Sequence, residues 1–345
     1  MSTDIISRFF SPSSVVVVGA SIREGSLGFI ITNNLVQGGF PAKKLSTVNP
    51  KYDEVLGIPC FPSIEDLPDI PDLAIFVSPA KTLPSMIKQL ANKGTSNAII
   101  ISGGFFEEGN QQTCQLEQEV SLLAQQNNIR IIGPNGLGVL SPTNKLNASF
   151  SHLMPKKGNI GMISQSGAML TSIIDWACGR EIGFSHLVSL GDMTDIGLAE
   201  MLDFMSADAN TDAILIYMES IHHSRRFISA ARAASRTKPV VVLKVGRSDE
   251  GRDAIASHTG ALASADEVYE AAFNRCGLLR VDGMRELFYA AAALTIIKPV
   301  RSDRLAILTN GGGMGVLATD ALISEGGTLA NLSNDTLDAL ADNLR

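Results

Sequence analysis

Residues 13–40, SSVVVVGASIREGSLGFIITNNLVQGGF, decide the fold. Four consecutive valines bounded by Gly19 read as a short strand buried on both faces, and the run from Leu27 onward carries apolar residues at helical spacing. A strand, a glycine turn and a helix in that order open a parallel α/β sheet, and its first turn is where backbone amides face a phosphate.

Working outward, the alternation continues. LSTVNP, DLAIFVSP, NAIIISGG and IRIIGPN supply further strands, with helical TLPSMIKQLANKG and TCQLEQEVSLLAQQNN between them. This predicts one doubly wound domain over residues 1–135. A polar stretch, SPTNKLNASFSHLMPKKG, reads as an irregular connection. Beyond it NIGMISQS, SHLVSLG, DAILIYME and PVVVLKVG alternate with helical segments, and a second parallel domain is expected over 150–298. KPVRSD reads as a linker. RLAILTNGGGMGVLATDALISEGG then opens a third unit over 303–345, expected to hold one strand and one helix and to be cut short.

The 345 residues are 45% apolar, enough for at least two cores. A net charge of −7 without a Lys/Arg run leaves no footprint for nucleic acid or an anionic membrane. No apolar run reaches the length of a membrane span, and MSTDIISRFF carries no targeting pattern, so a cytoplasmic protein is expected. Cys60, Cys114, Cys178 and Cys276 lack metal-ligand spacing, and no metal site is expected.

Three Gly- or Ser-rich turns precede helices. VVVVGASIREGSLG places Gly19, Gly25 and Gly28 at the first, a loose form of the dinucleotide fingerprint. After the second strand VNPKYDE offers Asn49, Pro50 and Lys51, which suit a further phosphate. Asp53 comes late for a ribose-binding acid, though it keeps a NAD-dependent dehydrogenase in view. MISQSGAM places Ser164, Ser166 and Gly167 at a helix start, either as a phosphoryl site or as ordinary capping. LTNGGGMG repeats the device with Gly311, Gly312 and Gly313. His258, in AIASHTGALASADE, reads as a turn residue that no apolar pattern would bury. An imidazole acting as nucleophile needs one nitrogen anchored, and Glu219, at the end of the strand in LIYMESI, is the candidate anchor. His222 and His223 read as helix-start residues, and His152 and His186 as lying in plain connections.

Taken with VSLGDMTDIG, SGGFFEEG, IIGPNGLG and KPVVVLKVGRS, these motifs resemble the NDP-forming acyl-CoA synthetases, relatives of the succinyl-CoA synthetase α subunit. The resemblance implies a Rossmann-like CoA-binding domain followed by flavodoxin-like ligase domains. It implies that Gly19, Ala20, Ser21 and Arg23 contact the phosphates of coenzyme A, and Lys51 its nucleotide end. Ser102 and Gly103, in the SGGFFEE turn, would lie along its pantetheine arm, and Pro134 and Asn135 would also bind the cofactor. His258 would carry a phosphoryl group, oriented by Glu219, between the turns of Ser164–Gly167 and Gly311–Gly313. ATP/ADP with Mg²⁺ would bind an ATP-grasp module absent from this chain, supplied by a partner subunit or by a C-terminal module. The other partner would be a small carboxylic acid or acyl-CoA, and an oligomer is expected. A narrower resemblance, through NASFS and RRFISAARAASRTKPVVVLKVGRS, is to bacterial protein-lysine acetyltransferases, in which the synthetase-like region is regulatory.

Overall fold

The computed structural model describes residues 3–104, 111–259, 265–296 and 302–343. They form two compact units, Met1–Thr295 and Ile296–Arg345.

In the larger unit the chain runs α1 (Thr3–Phe10), β1 (Val15–Val18), α2 (Leu27–Gln37), β2 (Leu45–Val48), β3 (Glu54–Val55), β4 (Ile58–Phe61), β5 (Leu73–Phe76), α3 (Leu83–Lys93), β6 (Asn97–Ile100), α4 (Gln111–Gln126) and β7 (Arg130–Ile132). The sheet order is β3-β4-β2-β1-β5-β6-β7, parallel except for the edge pair β3–β4. Strand order reverses at β1, so a crevice opens beyond the carboxyl ends of β1 and β5. All four valines of β1 are buried, each worth about 1.5–3 kcal/mol relative to exposure. Ser26 caps α2, its hydroxyl accepting the Phe29 amide at 3.3 Å.

A second seven-stranded sheet follows: β8 (Gly138–Ser141), β9 (Leu146–Ser149), β10 (Lys157–Ser164), α5 (Gly167–Cys178), β11 (Phe184–Ser189), α6 (Leu198–Ala207), β12 (Ala213–Met218), α7 (Ser224–Ser235), β13 (Val240–Lys244), α8 (Asp249–Thr259), α9 (Asp266–Cys276), β14 (Leu279–Val281) and α10 (Met284–Ile296). Its order is β14-β13-β12-β10-β11-β8-β9, and the five parallel strands keep a flavodoxin-like sequence with its crossover between β10 and β12.

The stretch expected to be irregular forms the antiparallel hairpin β8–β9, paired to β11. Its polar composition misleads because Ser141, Asn147, Ser149 and Ser151 are all buried and hydrogen-bonded. Asn34 of α2 donates to the carbonyls of Ser149 and Ser151, both at 2.8 Å, so the hairpin of the second sheet grips a helix of the first.

His186 corrects another expectation, since it lies in β11 and is 3% exposed. One ring nitrogen meets the Ser141 hydroxyl at 3.0 Å and the other stands 3.2 Å from Asp208, with Phe10 and Phe204 against the ring. Burial lowers its pKa, and the attraction of Asp208 offsets this only in part. A histidine depressed in the folded state takes up protons more readily when unfolded, where its pKa is about 6.5. Its contribution is therefore present above that value and lost as pH falls through it. Urea midpoints should decline as pH falls below about 6.5, and His186→Gln should flatten that slope while lowering stability at neutral pH.

The smaller unit holds β15 (Arg304–Leu305), α11 (Gly312–Ser324), β16 (Thr328–Leu329) and α12 (Asn334–Asn343), with β15 and β16 parallel. It thus has a second strand and a second helix where one of each was expected. Met314, Val316, Leu317 and Ile323 of α11 are exposed.

Candidate functional site

Two cavities lie at the crossover points of the two sheets. The first, about 380 Å³, opens beyond β1 and β5 and is lined by Gly19, Asn49, Pro50, Ser63, Ser78 and Gln89 among others. Gly19 has φ +94°, and a Cβ there would stand 2.9 Å from the Ser78 amide nitrogen, so only glycine lets the turn pass so close to β5. Gly28 has its own reason: a Cβ would meet the Gly19 carbonyl oxygen at 2.2 Å, which fixes how closely α2 sits on the turn. Asn49 holds the turn from the other side, donating to the Ala20 carbonyl at 2.7 Å and accepting the Lys51 amide at 3.0 Å. Ser21 accepts the Arg23 amide at 3.0 Å. Of the residues expected to touch coenzyme A at this end, Gly19 lines the cavity and Ala20 is buried behind it, while Arg23 and Lys51 are exposed. Among the described residues no carboxylate lines it, and Asp53 is not part of the lining, so the acid that a bound dinucleotide's ribose would want is not found there.

The second cavity, about 520 Å³, lies where β10 and β12 diverge and also reaches the loops after β6 and β7. Gln165 organises its floor. Its side-chain oxygen accepts the backbone amides of Glu219 at 2.5 Å and Ser220 at 3.1 Å, and its Nε2 donates to the Ser220 carbonyl at 3.0 Å. That network aims the segment bearing Glu219, whose residue is 9% exposed and whose surface lines the cavity. Opposite stands the amino end of α5. Ser166 is its N-cap, accepting the Met169 amide at 3.3 Å, and Ser164 is buried, its hydroxyl donating to the Ser166 carbonyl at 2.7 Å. Both hydroxyls thus shape the turn, and what faces the cavity is Ser166, Gly167 and Ala168 at the positive end of a twelve-residue helix.

The other residues expected to bind coenzyme A gather at the same cavity. Gly103 and Asn135 line it, Ser102 is tied behind them by donating to the Ser78 carbonyl at 2.5 Å, and the Pro134 carbonyl accepts the Asp192 amide at 3.0 Å. The remainder of that turn, Phe105–Asn110, lies outside the described residues.

Lys244 is the residue that sequence reasoning missed. It ends β13, in register with Met218 beside Glu219, and is 1% exposed. Its ammonium group donates to the Val245 carbonyl and sits 4.4 Å from the centre of the Tyr269 ring. Loss of hydration brings its pKa down to about 8, although Asp266 and Glu219 pull it upward. Burial, together with the charge of Glu219, pushes Tyr217 up to about 12. A lysine inside the apolar run PVVVLKVG was the available signal.

His258 falls in the last turn of α8, a helix rather than the expected turn. Ile255 seats this helix over Gly246, whose φ is +70° and where a Cβ would collide with Ile255 at 2.2 Å. The His258 side chain lies outside the described part. Gly311 caps α11 in the smaller unit, and Gly312 and Gly313 begin that helix. Among the described residues no group of three or more His, Cys, Asp or Glu could hold a metal ion, and no helix is long and apolar enough to cross a membrane.

Comparison with known proteins agrees with this geometry. Residues 13–142 match the CoA binding domain family and residues 157–294 the succinyl-CoA ligase like flavodoxin domain family. The α subunit of acetate–CoA ligase (ADP-forming) I of Pyrococcus furiosus is 41% identical over 325 residues, covering 93% of this chain and 70% of that protein. Acetate–CoA ligase (ADP-forming) I of Archaeoglobus fulgidus is 40% identical over 335 residues, covering 97% of this chain and 48% of that protein. The chain therefore spans about half the length of some curated relatives that it matches. An acetyl-coenzyme A synthetase 1 of Ca. Korarchaeum cryptofilum, solved with phosphate and ADP, superposes with a TM-score of 0.89 at 36% identity, over 95% of this chain and 70% of that one. The narrower resemblance to protein-lysine acetyltransferases is not supported, because these relatives are acid–CoA ligases.

Proposed function

The chain belongs to the family of NDP-forming acyl-CoA synthetase α subunits, and from that membership we propose that it is the CoA-binding, phosphohistidine-carrying part of an ADP-forming acid–CoA ligase. The overall reaction is acid + CoA + ATP to acyl-CoA + ADP + phosphate, through an acyl phosphate and phospho-His258. Acetate and similar small acids are the substrate class. ATP/ADP and Mg²⁺ belong to an ATP-grasp module on a partner or on further chain, and the two work together as a cytoplasmic assembly. On this reading residues 1–135 form the CoA-binding part and 150–298 the ligase part, to whose sheet the β8–β9 hairpin is joined. Residues 303–345 belong to a second ligase part.

The observation that carries the reading is the shared cavity: Gly103 and Asn135 from the CoA-binding sheet line it with Gly167 and Glu219 from the ligase sheet. A thioester carbonyl and a phosphoryl group must meet within bonding distance, and this cavity offers one wall to each. The α5 amides stabilise negative charge on the phosphoryl oxygens without reorganising. Glu219 accepts a proton-bearing imidazole nitrogen of His258, leaving the other as nucleophile. Gly19, Ala20, Ser21 and Arg23 hold the CoA phosphates, with Lys51 at the nucleotide end.

Calorimetry on the chain should show CoA bound more tightly than NAD, with Lys51→Glu weakening CoA severalfold. The same sample, given ATP, Mg²⁺, CoA and acetate, should make no acyl-CoA until an ATP-grasp partner is added. Tighter binding of NAD, or acyl-CoA made by the chain alone, overturns the proposal.

A further inference from the structure

The loop after β12 brings a second side chain to the large cavity. His222, three residues past Glu219, lines it together with Gly167, Ala168 and Glu219. It is not the first residue of a helix, since α7 begins at Ser224. Much of His222 is open to solvent, so it stands at the cavity mouth.

Charged and titratable groups surround it from several elements. Glu117 comes from α4 and Asp192 from the loop after β11, both lining the same cavity. Asp195 and Glu200 stand on its other side with Arg226 of α7 and the adjacent His223. The Glu117 carboxylate is oriented by the Thr194 hydroxyl, which donates to it at 2.8 Å. Partial burial and the neighbouring His223 lower the pKa of His222, while Glu117 opposes them. The imidazole is accordingly neutral at pH 7 and has a lone pair to offer.

The inference rests on the function proposed above. Joining an acyl phosphate to CoA requires the thiol, with an ordinary pKa of about 8.5, to lose its proton as sulfur attacks the acyl carbon. A base is most effective when its pKa lies near the working pH. Glu117, Asp192 and Glu219 also line the cavity, but carboxylates as a class are weak bases. Among the described residues lining the cavity, His222 is the one imidazole.

We propose that His222 is the general base of acyl transfer, accepting the thiol proton of CoA, with Glu117 as the positioning residue that steadies the resulting imidazolium. The sulfur–carbon bond forms, the bond from the acyl carbon to the phosphate oxygen breaks, and phosphate leaves with that electron pair. The proton stays on His222 until solvent removes it. In the reverse direction the imidazolium returns a proton to the departing thiolate.

The test uses the complex of this chain with its ATP-grasp partner, measuring acetyl-CoA formed from acetyl phosphate and CoA across a pH series, and in parallel the phosphoryl label that ATP leaves on His258. His222→Gln should lower kcat about 100-fold with little change in KM for CoA, and should abolish the acid limb of the pH profile. The label should persist. Glu117→Gln should move the acid limb to lower pH, since its charge raises the imidazole pKa. Wild-type kcat and an unchanged acid limb in His222→Gln overturn the proposal while the intact label leaves the enzyme's assignment standing. Absence of both label and acyl transfer in the wild-type complex would instead overturn the assignment on which it rests.

Discussion

Replacing His258 with asparagine should leave the complex with its ATP-grasp partner unable to acquire an acid-labile phosphoryl label from ATP, and acyl-CoA synthesis should fall below detection. Asparagine preserves size and polarity but offers no nucleophilic ring nitrogen, so the loss is chemical rather than structural. Glu219→Gln should be the graded counterpart. The main-chain amide of residue 219 still donates to Gln165, which keeps the segment in place. The amide side chain can accept from the imidazole without supplying its charge, and a loss of about 10²–10⁴-fold in labelling rate is expected, as for other groups that orient an imidazole. CoA binding should be unchanged in both variants. Persistence of the label in His258→Asn would remove the phosphohistidine from the mechanism.

The largest effect on stability should come from Gly191→Val. Gly191 has φ +56°, and a Cβ there would lie 1.9 Å from the Pro134 carbonyl oxygen, well inside contact distance. The obstacle is backbone, so no rotamer change relieves it. The left-handed conformation costs a β-branched residue about 1–2 kcal/mol, and forcing the two loops apart adds about 1–3 kcal/mol. The displaced loops also carry Asp195, paired bidentately with Arg130 of β7 at 2.8 and 3.1 Å, and the bond from Asn135 to Asp192. A drop of roughly 3–5 kcal/mol in denaturant unfolding, with loss of acyl transfer in whatever remains folded, is the expected result. A variant within about 0.5 kcal/mol of the wild type would show that the loops do not meet as closely as described.

Legibility in the sequence followed burial pattern. Val15–Val18 and Ala213–Met218 are continuous apolar strands, and from them both parallel sheets, the first glycine turn and the place of Glu219 could be argued before any coordinates. The same rule failed where polar residues go inside. Ser149 donates to Asn147 within the hairpin and Ser141 meets His186 of β11, so their composition imitates a loop. His186 and Lys244 are polar side chains inside fully buried strands, and their partners, Asp208 and Tyr269, come from other elements that no local pattern could supply. His222 reads as a mere helix-start residue in the sequence because only the convergence of α4, α5 and two strand ends gives it a cavity to face.

The grip of Asn34 on the β8–β9 hairpin bears on how this molecule can be divided. Family boundaries fall near residues 142 and 157, which invites excision of the CoA-binding part as a free-standing fragment. Yet the hairpin donates its strands to one sheet while its carbonyls are taken by a helix of the other. A cut on either side strands hydrogen-bonding groups on both pieces. Evolutionary modules and folding units therefore do not coincide here. The two sheets should unfold together, and crossing this family's parts by recombination should succeed best where helix α2 and the hairpin are inherited together.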